Sequence, residues 1–393
     1  MSTIELIIMK RPVEVSTSEL IEILDRYLQT EGAIHYAIKI VGYPGVGKSA
    51  IVEQVAKKHN YYYIDTRLAF KENVDLGGYP VPDNNLKRMI YFRPRFIPPE
   101  NVPEGYNGIL WFLDEANRAH PTVIQTLFQI ITERMCGEHA LPPKTAIVLA
   151  GNLGDSDNTV ITDFDDSALD GRLAVFNLVP DASNWLQWAM EEGIHPAVIH
   201  YIATYPDRLW DSSSVNPNPR GWHQVSDTLY KAYNFQTEEQ FRSYLLNNDY
   251  KVLQKIIISL IGDIAGTDFI VQYVSPRAIS SHDILEGDEK KLQELIENTI
   301  PSEDILWAVN GAIHTLYNDN ANQNGKPDDQ LLKKLLNFLK FISYTRADTR
   351  VSFMYALVRD CGLFTQIPDA LKHIDNPEER QGILEKVQVF LDV

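Results

Sequence analysis

The sequence predicts an α/β fold in which a parallel sheet is covered by helices on both faces and is followed by an all-helical region. Short, continuously apolar runs alternate with segments of helical periodicity through the first half of the chain. This alternation is expected when strands are buried on both faces of a parallel sheet. After Pro180 few strand-like runs remain, and apolar residues recur at helical spacing.

Each predicted element follows from its local pattern. The strands are apolar or aromatic-rich runs, namely Tyr36–Val41, Tyr61–Ile64, Gly108–Leu113, Thr145–Ala150 and Ala174–Val179. The helices between them have apolar residues three or four apart, namely Ser18–Tyr27, Ala50–His59 and Thr122–Glu133. The later helices are predicted at Trp185–Glu192, Ala197–Tyr205, Gly221–Tyr233, Glu238–Asp263, Glu289–Asn298, Glu303–Tyr317, Gln330–Ser343 and Asp348–Asp360, with a polar loop at Asn318–Asp329. We expect three domains, at residues 1–180, 181–275 and 276–393.

The composition is that of a globular, acidic chain. Among 393 residues, 36 Lys and Arg stand against 53 Asp and Glu, a net charge of −17, which disfavours broad coating of nucleic acid. The two cysteines, Cys136 and Cys361, exclude a disulfide framework and are typical of a reducing compartment. We expect a cytoplasmic protein without membrane binding, because Met1–Lys10 has the wrong charge order for a signal peptide and no apolar run could span a bilayer.

The most specific motif follows the first predicted strand. Residues Gly42–Ser49 (GYPGVGKS) match G-x-x-x-x-G-K-[ST], the phosphate-binding loop. Its glycines allow main-chain N–H groups to face a phosphate, and the next helix points its positive end at the anion. Lys48 is expected to reach the β- and γ-phosphates of ATP, and the Ser49 hydroxyl to ligate Mg²⁺. The residues predicted to bind ATP are Gly42, Tyr43, Pro44, Gly45, Val46, Gly47, Lys48, Ser49 and, from the next motif, Asp114.

A second motif lies at the end of the strand Gly108–Leu113, which continues into Asp114 and Glu115. Asp114 is predicted to orient Mg²⁺ together with Ser49. Glu115 is predicted to polarise the attacking water as a general base. Nucleotide hydrolysis needs such a base, whereas nucleotide binding alone does not.

A polar amide follows the strand Thr145–Ala150. Asn152 at this point could hydrogen-bond the attacking water or the γ-phosphate. Because Gly151-Asn152 is also good turn chemistry, this residue taken alone is a weak signal.

Together these motifs resemble AAA+ ATPases of the MoxR-like group, in their phage and bacterial form. The shared motifs are GYPGVGKS (Gly42–Ser49), DLGGYPVP (Asp75–Pro82), LDEANRA (Leu113–Ala119), TER (Thr132–Arg134), GEHALP (Gly137–Pro142), LAGN (Leu149–Asn152), ALDGR (Ala168–Arg172) and NPRGW (Asn218–Trp222). The resemblance implies a P-loop NTPase sheet with a helical lid and an all-helical C-terminal extension. It further implies ATP hydrolysis with Mg²⁺ by a hexameric ring that remodels a protein client, often with a partner carrying a von Willebrand factor A domain.

The resemblance also assigns an arginine finger. Arg172 stands where the family places the arginine that enters the neighbouring subunit's site. A guanidinium matches phosphate oxygens bidentately, so the residue type suits this role. The sequence departs from the family here, since Gly171 precedes the arginine where Asp is usual. A surface ion pair with Asp166 or Asp170 is the alternative.

Three further assignments follow from the resemblance. Asn152 corresponds to sensor 1, and Arg220 to the sensor 2 arginine of the lid, which contacts the γ-phosphate. An ion pair between Arg220 and Asp227 is the alternative for the second residue. The segment Arg134–Pro142 corresponds to a hairpin that often faces the ring's pore.

Two other functions stay open. A nucleic-acid motor or loader on the same core would need basic residues along the pore, and the hairpin offers Arg134 but also Glu133, Glu138 and His139. A non-catalytic assembly scaffold gated by nucleotide would need no general base at Glu115.

Overall fold

The computed structural model describes residues 12–32, 35–85, 87–154, 171–321, 327–361 and 363–388. The chain forms two compact units. The first lies within Met1–Trp185 and includes Trp210–Gly221, and the second comprises Leu186–Leu209 and the chain from Trp222 onward. The three-domain division expected from the sequence stays a prediction.

Six parallel strands form the central sheet of the first unit. They are β1 (Val13–Val15), β2 (Ala37–Val41), β3 (Tyr61–Arg67), β6 (Gly108–Asp114), β9 (Thr145–Gly151) and β10 (Leu173–Leu178). Their order is β1-β10-β2-β9-β6-β3, and all neighbours are parallel. Two antiparallel hairpins are formed by β4 (Tyr79–Asp83) with β5 (Arg88–Phe92), and by β7 (Met135–Cys136) with β8 (His139–Ala140). The predicted α/β fold with a parallel sheet is therefore confirmed.

The remaining regular structure is helical. The helices of the first part of the chain are α1 (Thr17–Gln29), α2 (Lys48–Lys58), α3 (Asn73–Gly77), α4 (Pro121–Thr132), α5 (Ala182–Glu192), α6 (Pro196–Thr204) and α7 (Pro219–Asp227). Those that follow are α8 (Glu238–Asn247), α9 (Lys251–Ile261), α10 (Asp263–Val274), α11 (Ser281–Glu286), α12 (Glu289–Ile296), α13 (Ser302–Ala321), α14 (Asp329–Ser343), α15 (Ala347–Cys361), α16 (Ile367–Leu371) and α17 (Pro377–Gln388). None of the described helices combines the length and apolarity needed to cross a bilayer.

Helices cover both faces of the sheet because alternate strand residues point to opposite sides. On one face Phe112 and Val148 lie in one buried cluster with Leu24 of α1 and Val52 of α2. On the other face the strand residues of a second buried cluster pack with α4, whose buried residues include Leu127. The second unit has its own apolar core, built mainly from residues of α11 to α17.

Several predicted boundaries are wrong. The single helix predicted at Glu238–Asp263 is two helices, α8 and α9, and the second ends at Gly262, whose φ of 86° is outside the helical region. The helix predicted at Gly221–Tyr233 ends in a π-helical turn, Thr228–Ala232. Helix α13 extends into the predicted loop Asn318–Asp329, of which residues 322–326 lie outside the described part.

Two buried histidines of the second unit are held in the neutral form. His195 accepts a hydrogen bond at Nδ1 from the Ala197 N–H (3.1 Å) and so caps α6. His314 has its Nδ1 at 3.2 Å from the donating amide of Asn318. Burial lowers the pKa of both histidines to about 4, although the carboxylate of Glu238 acts in the opposite direction. Desolvation disfavours the imidazolium, which explains the shift.

These histidines predict a loss of stability in mild acid. Because their folded pKa lies below the unfolded value of about 6.5, their contribution is complete above about pH 6.5 and is lost as the pH falls towards 4. We expect the urea midpoint, followed by circular dichroism, to fall between about pH 7 and about pH 5. His195→Asn keeps a capping side chain but does not titrate, so its pH dependence should be shallower. Equal slopes for the two proteins would contradict the assignment.

Candidate functional site

Three neighbouring strands end at one edge of the sheet and carry the predicted site there. Strand β2 leads into Gly42, β6 ends at Asp114, and β9 is followed by Asn152. Because β9 lies between β2 and β6, Asn152 stands between the other two strand ends. The carboxyl ends of parallel strands are the usual ligand-binding edge of α/β sheets.

The loop Gly42–Ser49 has the backbone that its glycines permit. Gly45 and Gly47 have φ values of 82° and 100°, a region that other residues rarely adopt. Gly47 is the N-cap of α2, so the helix begins at Lys48 and its N-terminus lies at the end of the loop. The loop therefore offers main-chain donors and a helix N-terminus to an anion.

Lys48 reaches back across this loop. Its Nζ donates to the carbonyl oxygens of Gly42 (2.7 Å) and Tyr43 (3.0 Å) and lies 3.4 Å from Oδ1 of Asn152. The ammonium group thus lies inside the loop, beside the side chain that follows β9. A compact cation at this place can pair with phosphate oxygens.

Ser49 and Asp114 meet across the gap between α2 and β6. The Ser49 hydroxyl donates to Oδ2 of Asp114 at 3.2 Å. Partial desolvation, followed by the negative charge of Asp114, raises the pKa of the Asp65 carboxyl on the neighbouring strand β3. Negative charge is therefore concentrated here, and the oxygen donors fit Mg²⁺, which takes few protein ligands besides water and phosphate. Among the described residues no group of three or more His, Cys, Asp or Glu side chains forms a metal site.

Glu115 occupies a strained turn directly after β6. Its φ of 53° is left-handed, and its N–H donates to Oδ1 of Asp114 at 2.8 Å. The carbonyl of Glu115 accepts from the Arg118 N–H at 2.9 Å and starts a short 3₁₀ helix, Ala116–Arg118. Left-handed backbone costs a non-glycine residue about 1–2 kcal/mol, and such strain is often found at functional sites. The turn places a half-buried carboxylate beside Asp114.

The first turn of α7 and Asn218, just before it, contact the loop directly. The Arg220 N–H donates to the carbonyl of Gly45 at 3.1 Å. The buried side chain of Asn218 lies against the same glycine, so close that a Cβ on Gly45 would be 2.6 Å from Asn218 Oδ1. Asn218 is in turn held by the N–H of Gly221, which donates to its Oδ1 at 2.9 Å. Arg220, whose side chain is exposed, is thus brought to the loop.

The alternative ion pair considered for Arg220 involves Asp227. The Asp227 carboxylate lies 2.7 Å from the ammonium group of Lys231, one helical turn further on. Asp227 is therefore paired with Lys231, in the π-helical turn that follows α7.

Arg172 lies at the opposite edge of the sheet from its own loop. Its carbonyl accepts from the N–H of Ala37 at 3.0 Å, at the amino end of β2. Leu173 lies opposite Ala37, so Arg172 is level with Tyr36, six residues before Gly42. The separation along the strand is about 20 Å at roughly 3.3 Å per residue. Arg172 is therefore the predicted site residue that is not brought to the loop of its own chain. Asp166 and Asp170 lie outside the described residues.

The predicted hairpin after α4 is present, but its arginine points inward. Arg134 is only 9% exposed, and its guanidinium donates to the carbonyl of Thr145. Desolvation lowers the pKa of this arginine. Arg134 therefore does not offer an exposed basic group on the hairpin, while Glu138 on the same hairpin is exposed.

Two asparagines at the site were not given a role from the sequence, although Asn117 matches the DExNR tail of the motif after Leu113. Asn218 packs on Gly45, and Asn117 forms two hydrogen bonds with the main chain of Asn152. Both are buried polar residues, which are expected only where partners satisfy them. In the sequence the only signal was their place inside motifs, because their partners are distant in the chain.

Comparisons with known proteins add little to this geometry. No protein-family model and no curated protein sequence matches the chain. One similar solved structure is NtrX from Brucella abortus in complex with ADP. It is 12% identical, the match covers 89% of this chain and 68% of that chain, and the TM-score is 0.36. A similarity of this size supports no argument about function.

The contact between Gly45 and Asn218 predicts a measurable difference between two glycine variants. Gly105 has a similar φ of 87°, but no heavy atom of the described residues outside its chain neighbours lies within 4 Å of its added Cβ. Gly105→Ala should therefore show backbone strain alone, about 1 kcal/mol. Gly45→Ala should lower the free energy of unfolding by about 1–3 kcal/mol more, because its Cβ also meets Asn218. Urea denaturation measures both.

Asn218→Ala provides the control for this experiment. In that background the excess loss of Gly45→Ala should shrink, because the contacts with Asn218 are gone and only that with Arg220 Cβ at 3.3 Å remains. Equal losses for Gly45→Ala and Gly105→Ala in the natural background would contradict the contact.

Proposed function

We propose that this protein is an ATPase of the AAA+ type, dependent on Mg²⁺. The observation that carries the proposal is that the carboxyl ends of three strands bring together five residues, namely Lys48, Ser49, Asp114, Glu115 and Asn152. Ser49 contacts Asp114, 65 residues away in the sequence, and Lys48 contacts Asn152, 104 residues away. A cation, a hydroxyl–carboxylate pair, a second carboxylate and an amide are the groups that phosphoryl transfer to water requires.

Each residue has a distinct task in this proposal. The main-chain N–H groups of Gly45–Ser49 hold the β-phosphate of ATP, and Lys48 balances charge on the β- and γ-phosphates. Ser49 and Asp114 would hold Mg²⁺, which supplies neutralisation of charge on the phosphate oxygens. Glu115 orients and deprotonates water, and Asn152 aligns that water or the γ-phosphate.

The position of Arg172 supports action in trans. The backbone of Arg172 is about 20 Å from its own loop along a strand, and this separation is consistent with a role in a neighbouring subunit's site. We therefore propose that the chain assembles into a ring, with six subunits as the working number, and that Arg172 stabilises the charge on the neighbour's γ-phosphate. Arg220, held beside Gly45, is proposed to contact the γ-phosphate of its own chain.

The use made of this hydrolysis is proposed from the family resemblance. In this proposal the ATPase remodels a protein client together with a partner that carries a von Willebrand factor A domain. The location is the cytoplasm, which is the host cytoplasm if the chain is phage-encoded. The alternative of a nucleic-acid motor would need exposed basic residues on the hairpin, and Arg134 is buried. The net charge of −17 also disfavours it.

Hydrolysis with Glu115 as the base predicts a specific set of variants. Glu115→Gln should lower kcat by about 10²- to 10⁴-fold while ATP still binds, and Lys48→Ala should weaken binding as well. Ser49→Thr keeps the hydroxyl and should remain active, whereas Ser49→Ala should lose the response to Mg²⁺. Phosphate release and binding of a fluorescent ATP analogue measure these effects. Unchanged turnover in Glu115→Gln would show that Glu115 is not the general base, whereas absence of turnover in the natural protein would favour the non-catalytic scaffold.

Action of Arg172 in trans predicts rescue in mixed assemblies. Arg172→Ala subunits keep an intact loop, and Lys48→Ala subunits keep an intact Arg172, so mixing two inactive proteins should restore part of the ATPase rate. A mixture of Lys48→Ala with Glu115→Gln is the control and should stay inactive. Each of these substitutions disables the site of the subunit that carries it, so a neighbouring subunit cannot compensate for it. Absence of rescue in the first mixture would show that Arg172 is not a finger.

A further inference from the structure

We propose that Asn117 is a positioning residue that holds Asn152 in place by imitating one more rung of the β-sheet. The inference rests on the proposed ATPase function, because Asn152 is the residue expected to align water or the γ-phosphate. Asn117 itself touches neither, and it acts through the main chain of Asn152.

The contact consists of two reciprocal hydrogen bonds. Nδ2 of Asn117 donates to the carbonyl of Asn152 at 2.7 Å, and the Asn152 N–H donates to Oδ1 of Asn117 at 3.2 Å. The side chain of Asn117 is buried, with 7% of the residue exposed. Among side chains only those of Asn and Gln offer a donor and an acceptor on one planar amide, as a peptide unit does.

The sheet explains why such a group is needed at this point. Strand β6 pairs with β9 as far as Leu113 opposite Leu149. Strand β6 ends one residue later, at Asp114, because the chain turns at Glu115 into left-handed backbone. Asn152 therefore follows β9 past the end of its neighbour, where its N–H and carbonyl would lack a strand partner on that side. The Asn117 amide supplies both bonds, and buried main-chain groups are costly without them.

Gly151 makes room for this amide. A Cβ on Gly151 would lie 2.8 Å from Oδ1 and 2.9 Å from Cγ of Asn117. Real Cβ atoms do not approach so closely, so any larger residue would displace the Asn117 side chain. The glycine in the LAGN motif is thus explained by the approach of Asn117, since its own φ is not in the left-handed region.

The contact connects the turn that carries Glu115 with Asn152, the two residues proposed to act on the attacking water. Asn117 lies in the 3₁₀ helix Ala116–Arg118 that starts at Glu115, and Asn152 carries the Oδ1 that lies 3.4 Å from Lys48 Nζ. One short turn therefore sets both the proposed base and the proposed sensor. Loss of the contact should misplace Asn152 without removing any group that binds the nucleotide.

The experiment measures kcat, KM and affinity for a fluorescent ATP analogue in single and double variants. Asn117→Ala should lower kcat by about 10- to 100-fold, the equivalent of one or two buried hydrogen bonds, with nucleotide affinity nearly unchanged. If Asn117 acts through Asn152, the double variant Asn117→Ala/Asn152→Ala should be no slower than Asn152→Ala alone. Effects that multiply, or an unchanged kcat in Asn117→Ala, would overturn the proposal.

Two further variants exclude a merely structural role. Gly151→Ala should reproduce the kcat loss of Asn117→Ala and add nothing to it. Asn117→Asp keeps the shape but loses the donor unless its carboxyl is protonated, so its kcat relative to that of Asn117→Ala should rise as the pH is lowered from about 8 to about 6, since burial raises a carboxyl pKa. A constant ratio would overturn the hydrogen-bond explanation.

Failure of the proposed ATPase function can be distinguished from failure of the inference about Asn117. If the natural protein shows no Mg²⁺-dependent turnover above Lys48→Ala, the proposed function fails and this inference fails with it. If the natural protein turns over ATP and the variants at Asn117 and Asn152 act independently, only the inference fails.

Discussion

The order of three parallel strands is the constraint on which the candidate site depends. The strand that leads into the phosphate-binding loop and the strand that ends at Asp114 are not neighbours, because β9 lies between them. The residue after β9 therefore faces Lys48 on one side and the turn after β6 on the other. The hydrogen bond from Ser49 to Asp114 closes this arrangement across the strand ends.

Much of the site could be predicted because its chemistry is local in sequence. The loop needs glycines and a lysine at fixed spacing before a helix, and these requirements are visible in Gly42–Ser49. A carboxylate directly after an apolar strand, as at Asp114, is equally visible. The alternation of apolar strands and helices was sufficient for the α/β fold and the parallel sheet.

The parts that could not be predicted depend on contacts between distant segments. The short strand β1 has three residues, of which only Val15 is buried, so it has no periodicity to recognise. Asn117 and Asn218 lie within shared motifs, but their partners are fixed only by the strand order and by the loop. Arg134 shows the opposite error, since a charged residue on a hairpin is usually exposed, but here its guanidinium pairs with the carbonyl of Thr145.

Main-chain carbonyls and side-chain amides, more than ion pairs, hold the described site together. Lys48 bonds to two carbonyls of its own loop, Gly45 accepts from Arg220, and Asn152 is held by Asn117. A phosphate entering the loop would compete for Lys48 with neutral carbonyls, and an ionised partner forms the stronger bond. Asn152 would keep its main-chain position during that exchange, because its bonds to Asn117 involve neither Lys48 nor the loop. The arrangement thus separates the groups that must respond to the nucleotide from the group that must stay aligned.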